Sequence, residues 1–134
     1  MVLLGGKDDI QNSALIAKGA GDNVTDLSGK LSLNGSAWVI SKSSVVVTPD
    51  TGLMHIAAAF QKNIVSLWGN TIPEFGMYPY VDKGKRIEME VKGLKCRPCT
   101  KIGFKKCPKK HFRCMNDIPV QKVIEAIANL ADKK

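Results

Sequence analysis

Apolar positions alternate along this chain between short β-branched runs and stretches in which they recur every three to four residues, the signature of strands interleaved with amphipathic helices. Val2 to Leu4 reads as a strand. Gly5-Gly6 then turns the chain into a segment with Ile10, Ala14 and Ala17 at helical spacing, closed by Gly19 and Gly21. Val24 to Leu27 suits a second strand, Ser28-Gly29-Lys30 a turn, and Ser32 can cap a helix carrying Leu33, Ala37 and Ile40, which Asn34-Gly35 weakens without forbidding. Val45 to Thr48 is a third strand that stops at Pro49, and Leu53, Ile56, Ala57 and Phe60 follow at i, i+3, i+4, i+7. Ile64 to Trp68 is a fourth strand, ending in Gly69-Asn70-Thr71, and Ile72 to Lys85 is a loop rich in Pro, Gly and aromatic residues. Ile87 to Val91 alternates as a short last strand. Residues 93–117 form a Cys-rich basic loop, and Pro119 opens a final helix with Val120, Val123, Ile124, Ile127 and Leu130 on one face.

Strands that alternate with helices over short connections predict an α/β fold, a Rossmann-like parallel sheet with helices on both faces. The strand C-termini of such a sheet share one edge, where ligands bind. Asp50, the turn from Ser28 to Leu31 and the segment Gly69 to Thr71 all follow strands, so they are expected at that edge. Asp50 suits the N-cap of the helix that follows. Gly52 in its first turn leaves the N–H groups of Gly52 and Leu53 open to an anion such as a phosphate. Thr51 and His55, four residues apart, share a face turned away from Leu53. A plain capped turn beside a half-buried, hydrogen-bonded histidine explains the same residues equally well.

With 134 residues the chain is expected to be one domain with a single core, residues 1–134. No apolar run approaches the ~18 residues a membrane helix needs. The first six residues lack both a basic region and an extended apolar stretch, so they read as a strand rather than a signal peptide, and a cytoplasmic protein is expected. A strand starting at the initiator methionine suggests a piece of a longer protein. The net charge of +8 is local in origin: between Lys83 and Lys110 eleven Lys or Arg face two acids, Glu88 and Glu90. Such a patch favours nucleic acid, anionic lipid or a phosphorylated saccharide, and a solvated loop with no partner is the ordinary alternative.

All four cysteines fall in that loop, as Cys96-x2-Cys99-x7-Cys107-x6-Cys114. Four thiolates so spaced can reach one tetrahedral ion, which makes them candidate ligands of a structural zinc. Cys107 and Cys114 are not a tight pair, however, and His111 competes as a ligand. Free thiols, or any of three disulfide pairings, stay open. A redox role is less fitting, because Cys96 does not start a helix that would lower its pKa.

Val47 to Ala59, Val-Thr-Pro-Asp-Thr-Gly-Leu-Met-His-Ile-Ala-Ala-Ala, closely resembles the Asp-(Ser/Thr)-Gly-x-x-His-x-Ala-Ala motif of the lipopolysaccharide heptosyltransferase family, glycosyltransferase family 9. Val65 to Pro73 is similar to that family's Leu-(Phe/Tyr)-Gly-x-Thr-x-Pro segment, and Leu27 to Leu33 to its Leu-x-Gly-x-x-(Ser/Thr)-Leu turn. Cys96-Arg97-Pro98-Cys99, Cys107 and Cys114-Met115 resemble its Cys-x-Pro-Cys…Cys…Cys-Met tail. Four ordered motifs across residues 27–115 are more specific than any one.

The resemblance implies the C-terminal, nucleotide-sugar-binding half of a two-domain GT-B fold, with the N-terminal acceptor domain absent. It implies that Thr51 and Gly52 meet the donor diphosphate, with Asp50 fixing the turn, His55 one helical turn on, Leu31 against the nucleotide base and Thr71 near the diphosphate or sugar. The donor would be ADP-heptose or a similar nucleotide sugar and the acceptor a lipopolysaccharide core, at the inner face of the inner membrane, with no cofactor required for the chemistry. No catalytic residue is expected here beyond His55, in its protonated form, steadying the leaving group. The acidic base belongs to the absent domain, so this piece is not expected to transfer sugar alone. Pro49 departs from the small or polar residue usual before the Asp, and the basic phosphate contact expected upstream has no candidate. Another nucleotide sugar in the same family is one competing reading. A zinc-loop module binding nucleic acid through residues 83–113, with Phe104 and Phe112 stacking on bases, is the other, disfavoured by so few aromatics.

Overall fold

The computed structural model describes residues 1–132, which divide into two compact units, Met1–Val39 and a second beginning at Ile40. In the first, β1 (Val2–Leu3) and β2 (Thr25–Asp26) pair in parallel, Val2 opposite Thr25 and Leu3 opposite Asp26. The connection between them contains α1 (Ile10–Ala20). That helix ends where Gly21, at φ 69°, takes a backbone conformation costly for any residue with a Cβ, its N–H donating to the Ala17 carbonyl. The buried hydroxyl of Ser28 donates to that of Ser13 at 2.8 Å, which ties the turn after β2 to α1. In the same turn the Asp26 carboxylate accepts the Ser28 N–H at 2.9 Å. Ser32 caps α2 (Leu33–Lys42) as its position suggests, its Oγ accepting the N–H of Gly35 at 3.2 Å.

In the second unit β3 (Val45–Pro49), β4 (Asn63–Trp68) and β5 (Arg86–Glu90) form a parallel sheet in the order β3-β4-β5. Val45 pairs with Asn63, and Ile64 with Arg86. The β3 to β4 connection carries α3 (Gly52–Ala59). The chain returns from β5 through the cysteine loop and a single turn, α4 (Arg113–Asn116), to α5 (Val120–Ala131). On the central strand Ile64 and Val65 are both wholly buried although they point to opposite faces, so both faces of the sheet are covered. On the Val65 side Ala126 and Leu130 of α5 complete a core with Val45, Leu67, Ile87, Met89, Val123 and Ile127 around it. On the other side Ile64, Ser66 and Trp68 are buried, and the indole N–H of Trp68 donates to Ser66 Oγ at 2.9 Å, which satisfies the one polar atom that so large a side chain brings inside.

Three expectations are corrected. Thr51 rather than Asp50 is the N-cap of α3, extended at φ −145° and ψ 167°, because the Asp50 carboxylate is engaged elsewhere. The buried face of α3 is Met54, Ala57 and Ala58, while Phe60 is exposed. In α5 the buried stripe runs through Val123, Ala126, Ile127 and Leu130, and Val120 and Ile124 face outward. Small alanines let both helices lie close to the sheet; the apolar repeat includes Ala57 but passes over Met54 and Ala58 in α3 and Ala126 in α5.

Candidate functional site

Because β3, β4 and β5 are parallel, the segments that leave Pro49, Trp68 and Glu90 emerge along one edge of the second unit. The first is Asp50-Thr51. Thr48 Oγ1 donates to the Pro49 carbonyl at 2.9 Å and lies 3.2 Å from Thr51 Oγ1, so with its own proton spent it accepts the Thr51 hydroxyl. This pins the Thr51 side chain back on the strand. The Thr51 carbonyl accepts the N–H of Met54 at 3.1 Å, which starts α3. Geometry leaves the first N–H groups of α3 without partners inside the helix, at the positive end of its dipole. Gly52 is exposed, and a Cβ built there would meet nothing within 4 Å. A phosphate oxygen can therefore come right up to the Gly52 and Leu53 amides. His55, one turn on, is exposed on the same helix.

The second segment is Gly69-Asn70-Thr71. Buried Thr71 donates its hydroxyl to the Asp50 carboxylate at 3.1 Å, which joins the turn after β3 to the loop after β4. A carboxylate does not attract a diphosphate. With its Oδ2 turned to Thr71, Asp50 serves the turn's shape rather than touching an anion.

Arg97, one charge of the basic patch and the variable position of the Cys96-Arg97-Pro98-Cys99 motif, ties these segments together. Arg97, its side chain 5% exposed, donates from Nε to the Gly69 carbonyl at 2.5 Å and from Nη1 to the Val91 carbonyl at 2.6 Å. Its Nη2 donates to the Thr71 carbonyl at 2.9 Å and to Glu90 Oε2 at 3.0 Å. One signal could have singled it out. Of the eleven basic residues between Lys83 and Lys110, nine are lysines, and the two arginines are those whose forks are engaged. Arg86 donates to the Pro79 carbonyl at 2.9 Å, pairs with Glu88 at 2.9 Å and lies 4.2 Å from the Tyr78 ring centre.

The cysteine loop is laced to the same edge: the N–H of Cys99 donates to the Asn70 carbonyl at 2.9 Å, and Asn70 Nδ2 to the Phe104 carbonyl at 2.7 Å. The four cysteines are free thiols, Cys114 buried and the others half-buried. Cys107 Sγ accepts the Phe112 N–H at 3.4 Å, and that amide leads the effects that lower its pKa. Burial pushes the thiols of Cys99 and Cys114 up, and each also feels the charge of neighbouring sulfurs. Cys96 Sγ lies 3.8 Å from His111 Nε2. Among the described residues no three His, Cys, Asp or Glu side chains are placed together so as to hold a metal ion.

The edge thus brings together Asp50, Thr51, Gly52, His55 and Thr71. Leu31 belongs to the first unit, where it is exposed just before α2. Among the described residues no helix is long and apolar enough to cross a membrane.

The sequence model of glycosyltransferase family 9 (heptosyltransferase) matches residues 1–114, the whole of both edge segments and most of the cysteine loop. The chain belongs to that family. It is 33% identical over 109 residues to lipooligosaccharide heptosyltransferase 2 of Haemophilus influenzae, covering 81% of this chain and 30% of that protein. It is 30% identical over 107 residues to the Campylobacter jejuni protein of the same name, 80% of this chain and 32% of that one. The chain spans about a third of the length of the curated relatives it matches. The structure of Escherichia coli ADP-heptose lipopolysaccharide heptosyltransferase II superposes with a TM-score of 0.76 at 25% identity, over 97% of this chain and 35% of that one. A family 9 glycosyltransferase from Veillonella parvula gives 0.77 at 21% identity, over 99% and 36%. The fold is a parallel-sheet α/β arrangement with helices that matches GT-B heptosyltransferase structures, as the alternating pattern and the motifs anticipate.

Proposed function

We propose that this chain is the donor-binding part of a heptosyltransferase-type glycosyltransferase of lipopolysaccharide core assembly, with ADP-heptose or a similar nucleotide sugar as donor. The observation that carries the reading is the open N-terminus of α3, held at the sheet edge by the Asp50–Thr71 bond in the segment that matches the family motif. In the reaction an acceptor hydroxyl attacks the anomeric carbon as the nucleoside diphosphate departs. The Gly52 and Leu53 amides, with His55, would stabilise the charge that gathers on the leaving group, a preorganised electrostatic contribution. Thr71 would lie near the diphosphate. No metal or other cofactor is needed for this chemistry. Attack on the donor also needs a base and a bound acceptor, the lipopolysaccharide core, which we assign to a further domain, so this chain binds donor weakly and transfers nothing alone. The work would take place in the cytoplasm, at the inner face of the inner membrane, with the exposed lysines of the cysteine loop against acidic lipid or phosphorylated acceptor.

Titration of the labelled chain with ADP and ADP-sugar, followed by NMR, tests the reading. Shifts confined to the amides of Asp50 to His55 and Thr71 are expected at millimolar ligand or below, and no movement there at millimolar ligand sinks it. A steeply salt-dependent affinity for oligonucleotides, stronger than that for ADP, would favour a nucleic-acid module instead.

A further inference from the structure

We propose that Arg97 is the positioning residue of this donor site, the side chain that sets the Thr71 loop against the α3 turn. The inference rests on the donor reading for its ligand and on the structure for its geometry. Three carbonyls, those of Gly69 and Thr71 after β4 and of Val91 after β5, converge on one buried guanidinium, and Glu90 at the end of β5 balances its charge. Removing that fork takes a donor from all three carbonyls at once, beside a side chain that is itself 5% exposed. Thr71 is held at both ends: its carbonyl accepts from Arg97, while its hydroxyl donates to Asp50, the residue before the α3 N-cap. A continuous line of bonds, Glu90 to Arg97 to Thr71 to Asp50, therefore runs across the sheet edge and ends at the amides offered to the diphosphate.

Two features separate this role from that of a phosphate ligand. Arg97 is buried beneath the loop, with Glu90 3.0 Å away neutralising it, so its charge is already used. What it supplies is a planar array of donors at fixed angles, which a lysine of equal charge cannot reproduce. The conservative change thus discriminates: Arg97→Lys keeps the charge and loses the fork.

The test has one readout without ligand and one with it. In the free chain, Arg97→Lys is expected to raise amide hydrogen exchange at Thr71 and at Gly52 to Met54 at least tenfold, while Ile64 and Val65 in the central strand keep their protection. Unchanged exchange at the edge, or equal loss at edge and core, overturns the proposal. With ADP, Arg97→Lys is expected to weaken binding about tenfold. In a Thr71→Val background, which breaks the line further on, it is expected to weaken binding less than twofold, since residues acting through one another are not additive. Full ADP affinity in Arg97→Lys also overturns it. Should Arg97→Lys fail to fold, Glu90→Gln, which loosens the guanidinium without removing it, is expected to raise exchange two- to threefold at the same amides and nowhere else, and no rise there overturns the proposal. A wild-type chain that ignores ADP refutes the donor reading, and the exchange measurement then decides the role of Arg97 by itself.

Discussion

The Thr71 hydroxyl donates to the Asp50 carboxylate at 3.1 Å across 21 residues of sequence, and this bond joins the two loops between which a donor diphosphate would lie. Thr71 is buried and its partner is a carboxylate, the setting in which a hydrogen bond contributes most, about 1.5–3 kcal/mol net. Thr71→Val keeps the shape and removes the donor, leaving Asp50 free to swing toward the incoming phosphates and repel them. ADP affinity is expected to fall about tenfold or more, a loss read from the midpoint of an NMR titration. A drop in urea midpoint of the same order in energy should accompany it. An unchanged ADP midpoint would detach this bond from the site.

The two ends of α5 make opposite predictions from similar residues. Leu130 is wholly buried against Val65, whereas Val120 is 72% exposed. Leu130→Ala should cost about 2–5 kcal/mol, the transfer of the lost methyl groups plus the cavity left behind. Val120→Ala should stay within about 0.5 kcal/mol. Urea denaturation of the two variants checks the helix's rotation; a comparable loss from both would restore the stripe that the apolar pattern alone suggests.

That contrast shows what the sequence reveals and where it stops. The strand, turn and helix from Val45 to Ala59 are legible because a β-branched run, a proline and a helical repeat each report local geometry. The rotation of α3 and α5 is less so, since which face is buried depends on how closely a helix approaches the sheet, and Ala57, Ala58 and Ala126 matter there by being small. Gathering Asp50 and Thr71 at one edge follows from the parallel topology. Arg97 lies beyond such reasoning: two of the three carbonyls it joins are 26 and 28 residues upstream, and no periodicity links them to it. Only the choice of arginine among lysines hints at a fork in use.

In the first unit, pH acts through Asp26. The Ser28 N–H, foremost among its partners, holds this carboxyl below its usual range. A depressed folded-state pKa means that the folded chain favours the ionised form more than the unfolded chain does. The stability so gained is therefore fully present above the unfolded value and lost as pH falls through the folded one. Asp26→Ala should lower the urea midpoint at neutral pH, and the gap to wild type should close on acidification. A gap that stays constant from neutral to acid pH would show that this carboxyl is not shifted.

The cysteine loop orders its thiols by reactivity. The thiolate is the nucleophile, so Cys107, favoured by the Phe112 amide, should alkylate first with iodoacetamide near neutral pH. Cys114, buried and pushed up, should alkylate last, with Cys99 next to last. Peptide mass mapping over time gives the order, and a fastest reaction at Cys114 would contradict it. We retain as a proposal the structural zinc that the spacing of Cys96, Cys99, Cys107 and Cys114 suggests. As placed, these side chains do not form a ligand set. Binding would thus have to draw the sulfurs together, and because ligation needs all four as thiolates it would release protons. With one equivalent of zinc the expected outcome is slow alkylation at all four positions and acidification of a weakly buffered solution. Zinc that slows only Cys96, the neighbour of His111, would instead indicate an adventitious surface pair.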